Sequence, residues 1–319
     1  MKLEGIYSAL LTPFCEDESI DRQAIGALLD FQVRLGIDGV YVGGSSGEAM
    51  LQSLDERAVY LSDVAAAASG RLKLIAHVGT IATRDALTLS QHAAKSGYQA
   101  ISAIPPFYYD FSRPEVMAHY RELADTSALP LIVYNFPART SGFTLPELVE
   151  LLSHPNIIGI KHTSSDMFQL ERIRDAAPDA IVYNGYDEMC LAGFAMGAQG
   201  AIGTTYNFMG DLFVALRACV AAGRIEEARL LQAMANRVIQ VLIKVGVMPG
   251  SKALLGIMGL PGGPPDAPSG RSKRRISQRF ARPWGRSSRG ARAHPGKACN
   301  GFRNCAVSRL GRFSVFMKH

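Results

Sequence analysis

The sequence has little cysteine, little tryptophan and no long uninterrupted apolar run. Its 319 residues include five cysteines and one tryptophan. The cysteines are odd in number and widely scattered, so a disulfide framework is not expected and a reducing cytoplasm is the default compartment. No window reaches the roughly 18 uncharged apolar residues of a membrane helix. Glu4 stands where a secretory signal would be apolar. We therefore expect neither a membrane protein nor a secreted one.

Charge is distributed unevenly along the chain. The formal net charge is +6, but residues 262–319 carry fourteen Lys/Arg against one acid, Asp266, which is +13 and leaves −7 for the rest. Prolines, then arginines and serines, dominate this tail without a sustained apolar period, which predicts disorder. The acidic residues 1–261 and the basic tail are therefore considered separately, and only residues 1–261 are used to predict the fold.

Short apolar runs alternate with segments of helical period, and this alternation predicts an α/β fold. The eight runs are Ile6 to Leu11, Ile37 to Val42, Leu72 to Val78, Tyr98 to Ile104, Leu129 to Tyr134, Ile157 to Ile160, Ala180 to Tyr183 and Ala198 to Ile202. The predicted helices include Arg22 to Leu35, Leu54 to Ala68 and, after the eighth run, Leu212 to Ala222. Eight such units favour a (β/α)8 TIM barrel over a doubly wound sheet, because Thr12-Pro13-Phe14 follows the first strand in place of a glycine-rich dinucleotide loop.

Three regions follow from this pattern. The barrel is predicted over residues 1–224. A C-terminal helical extension over 225–260 contains Ile225 to Val245 and Ser251 to Met258, which we expect to pack against the outside of the barrel. The atypical basic tail is predicted over 261–319. In such a barrel, functional residues are expected where the strands end and the loops begin.

The second strand ends in Gly43-Gly44-Ser45-Ser46-Gly47-Glu48. Glycines allow a tight turn there, and amides at a helix N-terminus bind a carboxylate or phosphate. Two other interpretations stay open at this point. The segment matches G-x-S-x-G, with Ser45 placed like a hydrolase nucleophile, or it is a glycine turn without chemistry.

Lys161 follows the apolar run of the sixth strand. A buried ammonium is costly unless it is paired or neutral. If burial lowers its pKa, a nucleophilic amine becomes available for imine formation with a carbonyl substrate. The alternative is a lysine at the strand end that extends its ammonium into solvent.

Polar residues also lie at the ends of other predicted strands, which meet at the same mouth of the barrel as Lys161. Tyr108, Tyr134 and the pair Asp187-Glu188 follow three further strands. Tyrosine can relay a proton, and adjacent carboxylates can accept hydrogen bonds from several hydroxyls. His77 is interpreted as a core residue, and no spacing of His, Cys or carboxylates indicates a metal site.

Four segments in order along the chain carry a family resemblance. They are Gly43-Gly44-Ser45-Ser46-Gly47-Glu48, Tyr134-Asn135-Phe136-Pro137, Gly159-Ile160-Lys161-His162-Thr163-Ser164 and Tyr183-Asn184-Gly185-Tyr186-Asp187-Glu188. Over about residues 3–260 the sequence resembles the N-acetylneuraminate lyase and dihydrodipicolinate synthase superfamily of class I pyruvate-dependent aldolases. The lyase branch fits better, because Lys161 to Arg174 and Gly203-Thr204-Thr205-Tyr206-Asn207 resemble its sugar-binding segments.

The resemblance implies an activity and roles for residues. The activity is reversible cleavage of N-acetylneuraminate (sialic acid) to N-acetylmannosamine and pyruvate. Lys161 would form the Schiff base with the keto carbon, and Tyr134 would act as proton relay. Ser45 and Ser46 would hold the substrate carboxylate. The residues implied to line the pocket for the sugar are Thr163, Gly185, Asp187, Glu188 and Thr204.

Further properties follow from the resemblance alone. Tyr108 is similar to a tyrosine that, in the synthases, enters a neighbouring subunit's site. A homotetramer is implied, with sialic acid and pyruvate as small-molecule partners, no cofactor, no metal, no nucleic acid and no membrane. Arg139 departs from the lyase branch and resembles the synthase arginine for a second carboxylate. A synthase-like or other 2-keto acid aldolase that condenses pyruvate with an aldehyde therefore remains the alternative.

The tail is a second departure, since the family closes with a further amphipathic helix. Our hypothesis is that the reading frame shifts near Leu260 to Pro265, so that the extension is truncated and the tail is translated out of frame. The rival interpretation is a basic extension that binds nucleic acid or an anionic membrane through Arg271 to Arg275 and Arg282 to Arg292.

The frameshift hypothesis makes a prediction about the gene. We expect that inserting or deleting one base near codon 262 restores a sequence encoding an amphipathic helix with both acidic and basic residues. Sequencing the locus and translating all three frames checks this. A gene in which neither alternative frame encodes such a helix contradicts the hypothesis and leaves the nucleic-acid interpretation of the tail.

Overall fold

The chain forms a closed barrel of eight parallel strands, each followed by a helix, in a computed structural model that describes residues 3–264. Strand order is sequential, and β8 pairs with β1 to close the barrel. The strands are β1 Gly5–Ala9, β2 Gly39–Val42, β3 Lys73–His77, β4 Ala100–Ala103, β5 Leu131–Asn135, β6 Ile157–His162, β7 Ile181–Asn184 and β8 Gly200–Gly203. The helices are α1 Arg22–Leu35, α2 Leu54–Ala68, α3 Thr83–Lys95, α4 Arg113–Thr126, α5 Leu145–Leu152, α6 Met167–Ala176, α7 Cys190–Ala195, α8 Tyr206–Ala221, α9 Ile225–Val245 and α10 Val247–Ile257. The predicted (β/α)8 fold is confirmed.

Aromatic rings packed on glycines fill the lower interior of the barrel. Tyr7 and Tyr183 meet edge to face, with their ring centroids 5.8 Å apart. The Tyr7 ring lies against Gly39, where an added β-carbon would overlap both that ring and the Lys73 carbonyl oxygen. Gly200 makes the matching space for Tyr183. Large side chains therefore occupy the volume that neighbouring strands leave free, so the barrel is a packed core rather than a channel.

Local sequence signals mark several helix ends. Glycines follow the last turn of four helices, and their positive φ provides left-handed helix ends. They are Gly36, Gly97, Gly197 and Gly223. At the other end, Ser53 and Glu56 form a capping box at the start of α2, which satisfies two of the free amides of the first turn.

Among the element boundaries that differ from the prediction, three bear on the site. Strand β6 runs to His162, so Lys161 lies inside the strand rather than after its end. Helix α8 begins at Tyr206 instead of Leu212, with non-helical backbone at Met209. Helix α10 begins at Val247 instead of Ser251, and Pro249 lies in its first turn, where the missing amide costs no hydrogen bond.

The C-terminal helices also lie differently from the prediction that both pack outside the barrel. Helix α9 packs along α8 on the outside, but residues of α9 and α10 also line the cavity at the mouth of the barrel. Within residues 3–264, no single helix is long and apolar enough to cross a membrane; α9 and α10 pass that test only as a pair, bent by 117°. The predicted tail, apart from its first four residues, lies outside the described residues.

The packing of Gly39 predicts a stability difference between two glycine substitutions. Gly39→Ala should destabilise the fold by about 1–3 kcal/mol, because the new methyl group meets backbone that cannot move aside. Gly26→Ala is the matched control: in the middle of α1, with open space around it, it should stabilise by about 0.5–1 kcal/mol. Chemical denaturation of both variants checks this, and equal stability of the two would contradict the packing account.

Candidate active site

A cavity of about 510 Å³ opens at the carboxyl ends of the strands. It brings together every sequence-predicted site residue except Tyr108. Those lining it are Ser45, Ser46, Tyr134, Arg139, Lys161, Thr163, Gly185, Asp187, Glu188 and Thr204. These residues come from five different strands or the loops after them, so the closed barrel is what places them around one volume.

Lys161 lies at the centre of this cavity and is only 5% exposed. Parallel pairing places it between Tyr134 on β5 and Tyr183 on β7. Its Nζ lies 4.1 Å from the centroid of the Tyr134 ring and 4.4 Å from that of Tyr41. Burial lowers the pKa of the Lys161 amine to about 7, against a smaller upward effect of the Asp187 carboxylate. Near neutral pH a large fraction of this amine is uncharged and nucleophilic.

Asp187 is the carboxylate that acts on Lys161. Its Oδ2 accepts hydrogen bonds from the Thr205 amide at 2.7 Å and the Thr205 hydroxyl at 2.6 Å. Burial raises the pKa of Asp187 to about 6, and the two bonds from Thr205 oppose that rise. The group is therefore mostly ionised at pH 7, fixed in orientation, and has its second oxygen left for other partners.

Tyr134 is buried directly beside the amine. Burial raises its pKa to about 12, while the Thr163 and Ser45 hydroxyls facing its phenol lower it in part. The ring stacks on Phe136 with the two planes 13° apart. Gly185 packs tightly against the Thr163 hydroxyl, with no room for a β-carbon. Tyr134 is thus a neutral, fixed phenol next to two hydroxyls, which is the arrangement that a proton relay requires.

Ser45 and Ser46 open a short 3-10 turn that ends at Gly47. The Ser46 hydroxyl lies 2.6 Å from the Thr204 hydroxyl, across the cavity mouth. The Gly47 carbonyl accepts 2.7 Å hydrogen bonds from the Thr12 hydroxyl and the Gln52 side chain. The turn is therefore held firmly from below, and its first amides, which have no partner within a helical turn, are available to an anion.

Tyr108 and Arg139 lie away from this centre. Tyr108 is 84% exposed, packs edge to face on Tyr109 and lies outside the cavity. Its φ of +79° is a strained conformation for a residue other than glycine. Arg139 is exposed at the rim of the cavity, where its charge lowers the pKa of Tyr186, although burial raises that pKa overall.

The contacts of Ser45 do not support its interpretation as a hydrolase nucleophile. His77 is a buried core residue, as predicted, whose Nδ1 donates to the Gly43 carbonyl at 2.9 Å while Nε2 accepts from the Ile104 amide at 3.3 Å. Within residues 3–264, no histidine is hydrogen-bonded to Ser45. Nor does that part of the chain bring three or more His, Cys, Asp or Glu into an arrangement fit for a metal.

Several contributors to the site were missed in the sequence. Ile239, Leu242 and Ile243 of α9 and Val247 and Met248 of α10 form an apolar wall of the cavity. Their helical spacing is visible in the sequence, but it indicates only that one face is buried, not what it faces. Thr205 lies in a segment that resembles the sugar-binding part of the lyases, but nothing local in the sequence indicates its hydrogen bonds to Asp187. Tyr41, whose ring lies against the amine, has the sequence pattern of a core residue.

Comparison with known proteins gives consistent findings. Residues 2–282 match the Dihydrodipicolinate synthetase family. The chain is 95% identical over 268 residues to the N-acetylneuraminate lyase of Rhizobium meliloti (strain 1021), covering 84% of this chain and 90% of that protein.

Solved structures of similar proteins share the fold. CdNal from Clostridium difficile, in complex with mannosamine, superimposes with a TM-score of 0.86 at 31% identity, covering 88% of this chain and 97% of that one. The N-acetylneuraminate lyase from Fusobacterium nucleatum, complexed with pyruvate, gives 0.82 at 32% identity, covering 87% and 95%.

The surroundings of Lys161 predict how its reactivity depends on pH. Below pH 7 the amine is protonated, and above it the neutral form dominates, so its acetylation by acetic anhydride should rise with a midpoint near its pKa of about 7. Asp187→Asn removes the carboxylate that raises this pKa, so the midpoint should move downward. Peptide mapping by mass spectrometry measures both, with the exposed Lys244 as internal reference. An unchanged or higher midpoint in the variant would contradict the assignment of Asp187.

Proposed function

The chain belongs to the dihydrodipicolinate synthetase family, and from that membership and its site we propose that it is a Schiff-base lyase cleaving N-acetylneuraminate reversibly to N-acetylmannosamine and pyruvate. The observation that carries the proposal is the buried Lys161 amine, whose pKa of about 7 makes it nucleophilic in the cavity that Tyr134 and Asp187 also line. Similar proteins bear the lyase name at 95% identity or are complexed with mannosamine or with pyruvate.

The covalent step begins with the neutral amine. Lys161 Nζ adds to the keto carbon of the substrate, and loss of water gives a protonated imine on that nitrogen. Breaking the next bond along, between the carbon beside the imine carbon and the hydroxyl-bearing carbon beyond it, sends its electron pair toward the iminium and leaves an enamine, while the hydroxyl-bearing carbon departs with the sugar fragment as an aldehyde. Protonation of the enamine carbon and hydrolysis of the imine then release pyruvate and restore Lys161. The Asp187 carboxylate favours the positive charge on the iminium.

Tyr134 is proposed to move the proton of this reaction. Cleavage must remove a proton from the sugar hydroxyl that becomes the aldehyde oxygen. With a pKa of about 12 the phenol is neutral, so it accepts this proton only by passing its own onward. The Thr163 and Ser45 hydroxyls that face it are the partners for that transfer. Tyr134 therefore acts as a relay rather than as a standing base.

The two ends of the substrate are proposed to bind on different sides of Lys161. Its carboxylate would lie on the amides and hydroxyls of Ser45 and Ser46, where the 3-10 turn offers hydrogen-bond donors. The polyhydroxy chain would meet the other polar residues of the cavity. These are Thr163, Gly185, Asp187, Glu188 and Thr204.

Arg139 supports the alternative, a condensation of pyruvate with an aldehyde that carries a second carboxylate. Its place on the cavity rim beside Tyr186 fits such a group. The names and ligands of the similar proteins favour cleavage of sialic acid instead. We therefore keep sialic acid as the substrate and treat the second activity as the one to compare against.

Tyr108 is proposed to act in another copy of the chain. It is exposed, lies outside its own cavity and is held in a strained backbone conformation beside Tyr109. Strain of this kind persists where the surroundings or a function require it. A homotetramer in which Tyr108 enters a neighbouring subunit's site is consistent with these features.

The proposal predicts covalent trapping at one residue. Borohydride added together with pyruvate should inactivate the enzyme and attach the reduced three-carbon adduct to Lys161, because borohydride reduces the imine irreversibly. Lys161→Ala should show neither adduct nor turnover, whereas Lys244→Met, which removes an exposed lysine of α9, should behave as the unmodified protein. Mass spectrometry of the intact chain and its peptides reads out the adduct.

Turnover then separates the two activities. We expect release of pyruvate from N-acetylneuraminate, and little condensation of pyruvate with aspartate semialdehyde. If the folded protein forms no adduct on Lys161, both the lyase activity and the synthase-like activity are ruled out. An adduct with turnover only of aspartate semialdehyde would favour the synthase alternative.

A further inference from the structure

A buried ion pair lies outside the cavity but directly under the turn proposed to hold the substrate carboxylate. The Lys252 ammonium on α10 contacts the Glu48 carboxylate, and the two side chains are 1% and 3% exposed. Lys252 Nζ also donates to the Pro264 carbonyl at 2.9 Å and lies 4.3 Å from the centroid of the Phe14 ring. Fully desolvated charges are rare and persist only when paired.

Glu48 is coupled to the turn through its backbone. It follows Gly47 directly, and its amide donates to the Ser45 carbonyl at 3.1 Å, closing the 3-10 turn. Its φ of +56° is left-handed, which costs a residue with a β-carbon about 1–2 kcal/mol. A residue keeps such a conformation when its surroundings fix it. The ion pair fixes the side chain of the residue that closes the turn.

Lys252 is anchored by a separate part of the chain. Helix α10 contributes Val247 and Met248 to the cavity wall one turn before Lys252. After the helix, the chain returns over Lys252 to reach Pro264, and Gly263 packs against the Phe14 backbone so closely that no side chain would fit. The ammonium is therefore held by contacts independent of the turn that it supports.

The ion pair also affects the electrostatics of the turn, because the Glu48 carboxylate carries a negative charge. A carboxylate in the same short turn as an anion site repels the anion, and the repulsion is strong where water is excluded. The Lys252 ammonium neutralises that charge from the opposite side. The glutamate can thus hold the turn without weakening the binding of a negatively charged ligand.

We propose that Lys252 is a positioning residue for substrate binding: by pairing with Glu48 it holds the Ser45–Gly47 turn in place and cancels the glutamate charge beneath the substrate carboxylate. The inference rests on the proposed function, since it takes that turn as the carboxylate site. It assigns a role in the site to the C-terminal helix α10, more than 200 residues away from the turn along the chain.

Removing either charge of the pair should affect pyruvate binding unequally. Lys252→Met leaves a negative charge under the turn and should raise the pyruvate concentration for half-maximal borohydride trapping by about tenfold or more, which corresponds to about 1.4 kcal/mol. Glu48→Gln leaves a positive charge there and should raise that concentration far less, or lower it. The trapping rate at saturating pyruvate should change much less in both, because Lys161 is untouched.

Controls separate this from a general loss of stability. Lys244→Met repeats the substitution at an exposed lysine of α9 and should keep the unmodified half-saturation. The double variant Glu48→Gln/Lys252→Met removes both charges and should recover thermal stability, since neutral replacements of both partners are tolerated better than one charge left buried. Lys252→Gln keeps a hydrogen-bond donor and replaces Lys252→Met if the latter does not fold.

The outcomes distinguish the two proposals. If the unmodified protein is never trapped with pyruvate, the proposed function itself fails. If it is trapped, and folded Lys252 variants keep its half-saturation or shift it no more than Glu48→Gln does, the positioning role of Lys252 is overturned. A rise confined to the Lys252 variants, with the double variant between them and the unmodified protein, supports it.

Discussion

The site depends on the removal of one lysine amine from water. Lys161 points into a closed barrel, where the rings of Tyr41 and Tyr134 flank its Nζ. A solvated lysine is protonated at neutral pH and does not attack carbonyls, whereas burial here brings the pKa to about 7. An open sheet would leave one side of this residue accessible to solvent. The barrel encloses it on all sides and leaves access only from the mouth, so the fold itself lowers the pKa of this amine.

This constraint explains how the other charges are arranged. A carboxylate in contact with Lys161 would keep its amine protonated. Asp187 is instead hydrogen-bonded to the Thr205 amide and hydroxyl, and it raises the pKa of the Lys161 amine by less than burial lowers it. Glu48 is neutralised by Lys252 below the turn. Donors without charge therefore line much of the region around the amine. In the proposed reaction, the substrate carboxylate would therefore meet hydrogen-bond donors while the Lys161 amine stays neutral enough to react.

The sequence predicts what is local and fails where distant segments meet. The left-handed glycine at Gly36 and the capping box at Ser53 depend on a few neighbouring residues, so both the helix ends and the alternation of strands are readable. The place of Lys161 followed from the barrel prediction, because the strands of such a barrel end at one mouth. Nothing local in Ser251-Lys252-Ala253 identifies Glu48 as a partner, since a lysine on a short amphipathic helix is ordinarily solvated.

The predicted division of the chain at residue 224 does not separate two independent parts. A break between barrel and extension is reasonable from the pattern, and the chain does turn at Gly223 between α8 and α9. Yet Leu242 and Met248 line the cavity, and Lys252 reaches under the Ser45–Gly47 turn. Because Lys252 of the extension pairs with Glu48 of the barrel, the two parts share one buried ion pair. Changes near Pro264, whose carbonyl receives a hydrogen bond from Lys252, are therefore expected to act on substrate affinity through that ion pair rather than on the reactivity of Lys161.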